Sequence, residues 1–214
     1  MSVRLAKSAG FCFGVNRAVE LVQSAAAAGK HTVTLGPIIH NRHVVEQFRK
    51  DGIGVIDSPR QARPGDTVII RSHGVSRAVY EELLAQGAEI IDATCPFVKR
   101  IHGLVSQAEE EGRLPIIIGT PTHPEVEGIA GWCSRCRIFD SLEALEKWVK
   151  EEQVDPNSPI CMVSQTTSTE SLWKLCRNFA KKQFTNLKIF DTICKATEDR
   201  QTEAARLSRE CQAM

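Results

Sequence analysis

The chain has no apolar run approaching the roughly 20 residues of a membrane-spanning helix, so none of its 214 residues reads as a bilayer segment. Its opening stretch, Met1-Ser2-Val3-Arg4-Leu5-Ala6-Lys7, lacks the apolar core of a secretory signal and is too short, ahead of Cys12, for a transit peptide. An excess of one charge is missing as well. The 27 Lys and Arg balance 26 Asp and Glu to a net +1, which gives no footprint for nucleic acid or for an anionic membrane surface. No Walker-type glycine-rich loop is present, which disfavours a nucleoside triphosphate, and no G-x-G-x-x-G segment offers a dinucleotide site. What remains is an ordinary globular composition, 42% apolar and 25% charged, sufficient for one large domain or two small ones.

Cysteine, by contrast, is plentiful. Eight thiols without a signal peptide point to a reducing compartment, where catalysis or metal binding explains them better than disulfides do. Cys161, Cys176 and Cys211 read as small buried apolar residues. Two others end echoed segments, Ile90-Ile91-Asp92-Ala93-Thr94-Cys95 and Ile189-Phe190-Asp191-Thr192-Ile193-Cys194. A third, Cys12, lies in Gly10-Phe11-Cys12-Phe13-Gly14.

Between these cysteines the pattern alternates. Runs such as Thr67-Val68-Ile69-Ile70, Leu114 to Gly119 and Ile160 to Val163 predict strands. Stretches with helical spacing predict helices at Asn16 to Ala28, Ser76 to Gln86, Phe97 to Glu111, Leu142 to Glu152, Thr169 to Lys182 and Thr197 to Cys211. Strict alternation implies α/β units with parallel sheets. The pattern repeats at domain scale, giving a first α/β lobe over 1–95, a second over 96–193, and the start of a third, largely missing lobe over 194–214.

In open α/β sheets, ligands bind beyond the carboxyl ends of the strands. Polar residues just past the predicted strands are His40, Ser72-His73, His123 with Glu125, and Ser164-Gln165-Thr166-Thr167. Cys95 and Cys194 occupy the same kind of position. His31, His43 and His102 do not. Imidazoles, hydroxyls and helix N-termini suit phosphate oxygens, and Glu125 could donate a proton directly or through Thr166.

The cysteine trio lacks the paired C-x-x-C spacing of a structural zinc site. Single cysteines from three separated loops suit a cluster held where lobes converge, and iron–sulfur clusters are bound by thiolates. Three thiolates leave one iron open, although the residues alone also admit a non-catalytic redox-sensing module or an iron–sulfur hydro-lyase. Cys133-Ser134-Arg135-Cys136 is a lone C-x-x-C and reads as an incidental surface pair.

Seven segments in order carry a family resemblance: Ala9-Gly10-Phe11-Cys12-Phe13-Gly14-Val15, Ile39-His40-Asn41, Arg71-Ser72-His73-Gly74-Val75, Asp92-Ala93-Thr94-Cys95-Pro96, His123-Pro124-Glu125-Val126, Ser164-Gln165-Thr166-Thr167, and Ile193-Cys194-Lys195-Ala196-Thr197 with Arg200-Gln201. The chain resembles the LytB/IspH family of 4-hydroxy-3-methylbut-2-enyl diphosphate reductases from about residue 4 to 201. The resemblance implies a trefoil of α/β lobes around one [4Fe-4S] cluster per chain, with Cys12, Cys95 and Cys194 as ligands and one open iron. It implies His40, His73 and His123 as substrate-binding histidines, Glu125 as proton donor and Thr166 as its partner at the substrate. It further implies reductive dehydroxylation of an allylic diphosphate to isopentenyl and dimethylallyl diphosphates, the last step of the methylerythritol phosphate route, in a prokaryotic cytoplasm. Ferredoxin or flavodoxin would be the electron donor, with no nucleic-acid or membrane partner. The family continues into a third lobe whose Ser-Ser-Asn motif grips the diphosphate, and nothing up to Met214 matches it. The expectation is thus a fragment or truncated form that binds substrate poorly.

Overall fold

The computed structural model describes residues 3–213 and places two four-stranded parallel sheets in sequence. The first contains β1 (Thr32–Leu35), β2 (Gly54–Ile56), β3 (Thr67–Ile70) and β4 (Glu89–Asp92), in the order β2-β1-β3-β4. The second contains β5 (Leu114–Ile118), β6 (Arg137–Phe139), β7 (Ile160–Ser164) and β8 (Leu187–Ile189), in the order β6-β5-β7-β8. The two orders are the same topology used twice, which is the repeat anticipated from the alternation of strands and helices. Register runs Leu35↔Ile70 and Ile70↔Asp92 in the first sheet, and Ile118↔Phe139 and Ile118↔Ser164 in the second. The upper ends of the strands are therefore level.

Helices cover both faces of each sheet, as all-parallel sheets require. In the first, α1 (Phe13–Ala27) and α2 (Arg42–Lys50) bury Ala18, Val22 and Phe48 with Ile69 on one face. Residues one step along β3, Val68 and Ile70, turn to the opposite face and meet Leu83 of α3 (Arg77–Ala85), because successive strand side chains alternate. In the second, Ile117 packs with Ile101 and Val105 of α4 (Pro96–Glu110) and with Val126 of α5 (Pro124–Ala130). Ile116 and Ile118 face α6 (Leu142–Glu151) and α7 (Glu170–Gln183) through Leu145 and Trp173. Each fully buried Ile contributes about 1.5–3 kcal/mol by leaving water, so these doubly covered strands are the rigid part on which the loops stand.

The predicted strands hold to within one or two residues. The helices that begin beside the cysteines start earlier than expected. α1 begins at Phe13 instead of Asn16, α4 at Pro96, and α8 (Lys195–Glu210) at Lys195 instead of Thr197. Apolar periodicity finds the middle of a helix, whereas the first turn is set by what precedes it. Cysteine, unlike Ser, Thr, Asp or Asn, does not announce a cap. Cys161 and Cys176 are fully buried, as expected, while Cys211 is only half-buried at the end of α8.

Candidate functional site

In each sheet the chain runs outward in one direction from the first strand and in the other from the third. The strand order therefore reverses between β1 and β3 and again between β5 and β7. Loops at such a switch point diverge and leave a crevice. His40 follows β1, His73 follows β3, His123 and Glu125 follow β5, and Thr166 follows β7. All five predicted loop residues thus sit at the two switch points, which face one another. The imidazole centroids of His40 and His73 are 4.5 Å apart, those of His73 and His123 5.7 Å, and those of His40 and His123 6.1 Å.

The edge strands β4 and β8 bring in the cysteines by equivalent backbone links. The Cys95 amide donates to the Ser72 carbonyl at 2.9 Å, and the Cys194 amide to the Thr166 carbonyl at 2.9 Å. Each thiol is thereby tied to the switch-point loop beside it. Cys12, Cys95 and Cys194 are the N-cap residues of α1, α4 and α8, and none of the three side chains caps its helix. All three sulfurs are free, half-buried, and line one cavity of about 180 Å³ together with His73, Glu125 and Thr166. Gly14 completes this wall, since a Cβ there would stand 2.5 Å from Cys95 Sγ. Burial, followed by the neighbouring Cys194 and Cys12, pushes the Cys95 thiol above its ordinary range.

That donor set places three soft ligands around one cavity. Among the described residues, no three His, Cys, Asp or Glu side chains converge closely enough to ligate a single metal ion. Three thiols spread around one cavity, each on the positive end of a helix, suit a larger anionic group with soft ligands.

A buried carboxyl group, Glu125, is held between α5 and the loop after β7. Pro124 opens α5, with His123 as its N-cap accepting from the Glu125 amide at 3.1 Å. Glu125 is 2% exposed. Its Oε1 accepts from the Thr166 amide at 2.6 Å and its Oε2 from the Thr166 hydroxyl at 2.7 Å. Burial raises the Glu125 carboxyl above its usual range and outweighs the bonds from Thr166, which act to lower it. Burial, with help from His40, Arg71 and His123, holds His73 down at about 3. Burial, followed by His40 and Arg71, lowers His123, partly opposed by Glu127.

Three arginines were not singled out as site residues in the sequence. Arg71, directly before Ser72-His73, packs against Gly36, which has a φ of +70° and no Cβ, so that the guanidinium can approach. Its Nε and the His73 Nδ1 are buried without a hydrogen-bond partner among the described residues. Arg17 donates to the Asp92 and Thr94 carbonyls at 3.2 Å each and so clamps the Cys95 loop. Arg200 donates to the Ser8 carbonyl at 3.2 Å and to the Gly10 carbonyl at 2.7 Å, holding the Cys12 segment against α8. A post-strand position signals Arg71. Arg17 and Arg200 lie within helices, where only the fold reveals their targets. His31 instead bonds Asp66 at 2.8 Å, His43 is exposed, and His102 stacks on Trp132 at 5.1 Å.

Among the described residues, no helix is long and apolar enough to cross a membrane. A profile described as LytB protein matches residues 3–214. The 4-hydroxy-3-methylbut-2-enyl diphosphate reductase of Caldanaerobacter subterraneus subsp. tengcongensis is 40% identical over 219 residues, covering 100% of this chain and 74% of that protein. The protein of the same name from Clostridioides difficile is 36% identical, again over 100% of this chain and 76% of its own length. A solved structure described as (E)-4-hydroxy-3-methyl-but-2-enyl diphosphate reductase, the terminal enzyme of the non-mevalonate pathway, superposes with a TM-score of 0.79 at 36% identity. It covers 97% of this chain and 73% of that one. A reductase structure from Plasmodium falciparum gives a TM-score of 0.88 at 28% identity, over 94% of this chain and 64% of that one. By its sequence along the whole matched length and by the architecture of its two sheets, the chain belongs to the LytB protein family.

Proposed function

We propose that the chain catalyses the reductive dehydroxylation of (E)-4-hydroxy-3-methylbut-2-enyl diphosphate to isopentenyl and dimethylallyl diphosphates. The observation that carries this reading is the buried Glu125–Thr166 pair opening onto the cavity of the three thiols. A reductive dehydroxylation consumes two electrons and two protons. One proton leaves with the hydroxyl as water and the other ends on carbon. Cys12, Cys95 and Cys194 would hold a [4Fe-4S] cluster, which when bound supplies the electrons and an open iron for the hydroxyl. Ferredoxin or flavodoxin would replenish them in a cytoplasmic setting.

The chain's own residues supply the rest. Glu125, raised by burial, keeps a proton at neutral pH more readily than a solvated carboxylic acid does. Passing that proton from Oε2 to Thr166 Oγ1 lets the hydroxyl deliver its own hydrogen to the substrate, and the 2.7 Å contact is short enough for this transfer. His40, His73 and His123 form a cluster of ring donors for the diphosphate, and Arg71 adds fixed positive charge behind His73. In domain terms, residues 1–95 and 96–193 each supply one switch-point wall, and 194–214 supply the helix that carries Cys194. The decisive experiment is anaerobic turnover of the allylic diphosphate by cluster-loaded protein with and without a reductant. Products formed only with the reductant support the reading, and products formed without one would instead indicate a hydro-lyase.

A further inference from the structure

A second cavity, of about 460 Å³, opens between the first sheet and the helices of the second, and it shares no lining residue with the cavity of the three thiols. On one side stand Ile70 from the end of β3 and Arg77 and Tyr80 from α3. On the other stand Trp132, just past α5, and one face of α4. Lys99, His102, Gly103 and Ser106 form that face, because residues three and four apart share one side of a helix. Ile101 and Val105 of the same helix are buried instead with Ile117 of the second sheet.

The walls are held in place. The Trp132 indole N–H donates to the Val75 carbonyl at 2.8 Å, and the Arg77 amide donates to the Gly131 carbonyl at 3.2 Å. His102 stacks on the indole with the ring planes 16° apart, and the Arg77 guanidinium stands 5.3 Å from the centre of the same ring. Gly103 keeps the mouth open. It lies inside α4, where glycine is a weaker helix former than alanine. Its φ is not in the left-handed region, and a Cβ on it would meet nothing within 4 Å. Neither backbone conformation nor packing calls for glycine there.

Charge selects the occupant. Lys99 Nζ is already paired with Asp92 Oδ2 at 2.7 Å, and burial holds His102 at about 4, uncharged at neutral pH. Arg77 donates through Nη2 to the Ser106 hydroxyl at 2.8 Å and has no carboxylate partner among the described residues. One uncompensated cation therefore stands beside an apolar wall of Ile70, Val75 and Tyr80. A diphosphate would find too little positive charge here, whereas a single carboxylate matches the guanidinium.

We propose that this cavity is a binding site for a small apolar carboxylate, its hydrocarbon body among Ile70, Val75 and Tyr80 and its anionic head on Arg77. The volume falls in the range of roughly 300–1,000 Å³ that small-molecule sites occupy.

The test is isothermal titration of cluster-loaded protein with naphthalene-2-carboxylate and, separately, with the uncharged naphthalene-2-carboxamide. The carboxylate should bind once per chain and about 10-fold more tightly than the amide. Arg77→Gln should erase that preference and leave the amide's affinity unchanged. Gly103→Leu, which places a side chain in the mouth, should abolish binding of both compounds while turnover of the allylic diphosphate stays at the wild-type rate. A wild-type protein that binds neither compound up to about 1 mM would overturn the site. Equal affinity for the two compounds would overturn the role of Arg77, and undiminished binding to Gly103→Leu would overturn the location. A check free of any variant is photolysis of wild-type protein with 4-benzoylbenzoate, an apolar carboxylate that crosslinks to neighbouring C–H bonds. Label mapped by mass spectrometry to the peptides of Tyr80 or Gly103 supports the site, and label confined to other peptides would overturn it.

Discussion

Glu125 and Thr166 meet twice: the Thr166 amide reaches one carboxylate oxygen at 2.6 Å and its hydroxyl the other at 2.7 Å. The two residues come from loops after neighbouring strands, β5 and β7, so the pair exists only because those strands adjoin. The amide bond fixes the carboxyl group, and the hydroxyl bond is the one free to reverse. Glu125→Gln keeps the shape and removes the acid. It should lower turnover by about 10²- to 10⁴-fold while leaving cluster absorbance unchanged. Thr166→Val, which preserves the amide bond and deletes the hydroxyl, should lower turnover less and leave Glu125 in place. Equal turnover in wild type and Glu125→Gln would exclude this carboxyl group as the proton source.

Cys95 separates a ligand role from a packing role. Cys95→Ser should abolish the iron–sulfur absorbance and paramagnetic signals after anaerobic reconstitution, because an alcohol at this pKa is a poor ligand for iron. Cys211→Ser, at the far end of α8, should load normally. A Cys95→Ser protein with wild-type iron and sulfide content would refute the ligand assignment.

Gly14 gives a subtler handle on the same centre. It lies in α1 with an ordinary helical backbone, so alanine costs no backbone strain, yet the added Cβ would come 2.5 Å from Cys95 Sγ. Either the sulfur or the helix must move. Gly14→Ala should therefore keep its circular dichroism and lower iron occupancy or shift the cluster spectrum, and an unperturbed spectrum would mean that Cys95 Sγ does not lie against α1.

Most of the residues that gather at this candidate site are legible in the sequence, and for a definite reason. The strands are short apolar runs such as Ile116-Ile117-Ile118, and polar residues directly after such runs stand at the carboxyl edge of a parallel sheet. That logic found His40, His73, His123, Glu125 and Thr166. Strand order was not legible, because no local signal tells β1 to lie beside β3. Without it the two switch points, and hence the facing of the two loop sets, stayed hidden. Arg17 and Arg200 were missed because their targets are backbone carbonyls 75 and 190 residues away in the chain. The C-x-x-C pair reads as a surface pair in the sequence, and in the fold both thiols are half-buried beside α4.

The histidine cluster predicts a proton linkage. His73 is held at about 3, first by burial and then by His40, Arg71 and His123. At neutral pH it is uncharged, and its protonated form becomes favourable only when an anion arrives to offset those causes. Diphosphate binding should therefore take up protons between pH 5 and 7, on the order of one per site. Calorimetry at pH 6 in two buffers of different ionisation enthalpy reads this number directly. His73→Ala should raise KM by about 10- to 100-fold, the loss of one charge-assisted hydrogen bond, and should abolish the buffer dependence. Binding enthalpies that agree between the buffers would exclude the linkage.

Stability has its own titration, remote from the site. Asp66 is 5% exposed and closes the turn before β3. Its Oδ2 accepts from the Arg63 amide and its Oδ1 bonds His31 Nδ1, both at 2.8 Å. The Arg63 amide, followed by His31, lowers the Asp66 carboxyl against the opposing effect of burial. A folded value below the unfolded one means stability that is present above about pH 3.9 and lost as pH falls through the folded value. Asp66→Asn should cost about 1–2 kcal/mol at pH 7 by weakening charge-assisted bonds, a drop of a few degrees in Tm for a chain of this size. The gap between wild type and variant should close as pH falls below 4. A gap that stayed constant from pH 7 to pH 3 would show that the variant acts through packing and that the Asp66 charge contributes nothing.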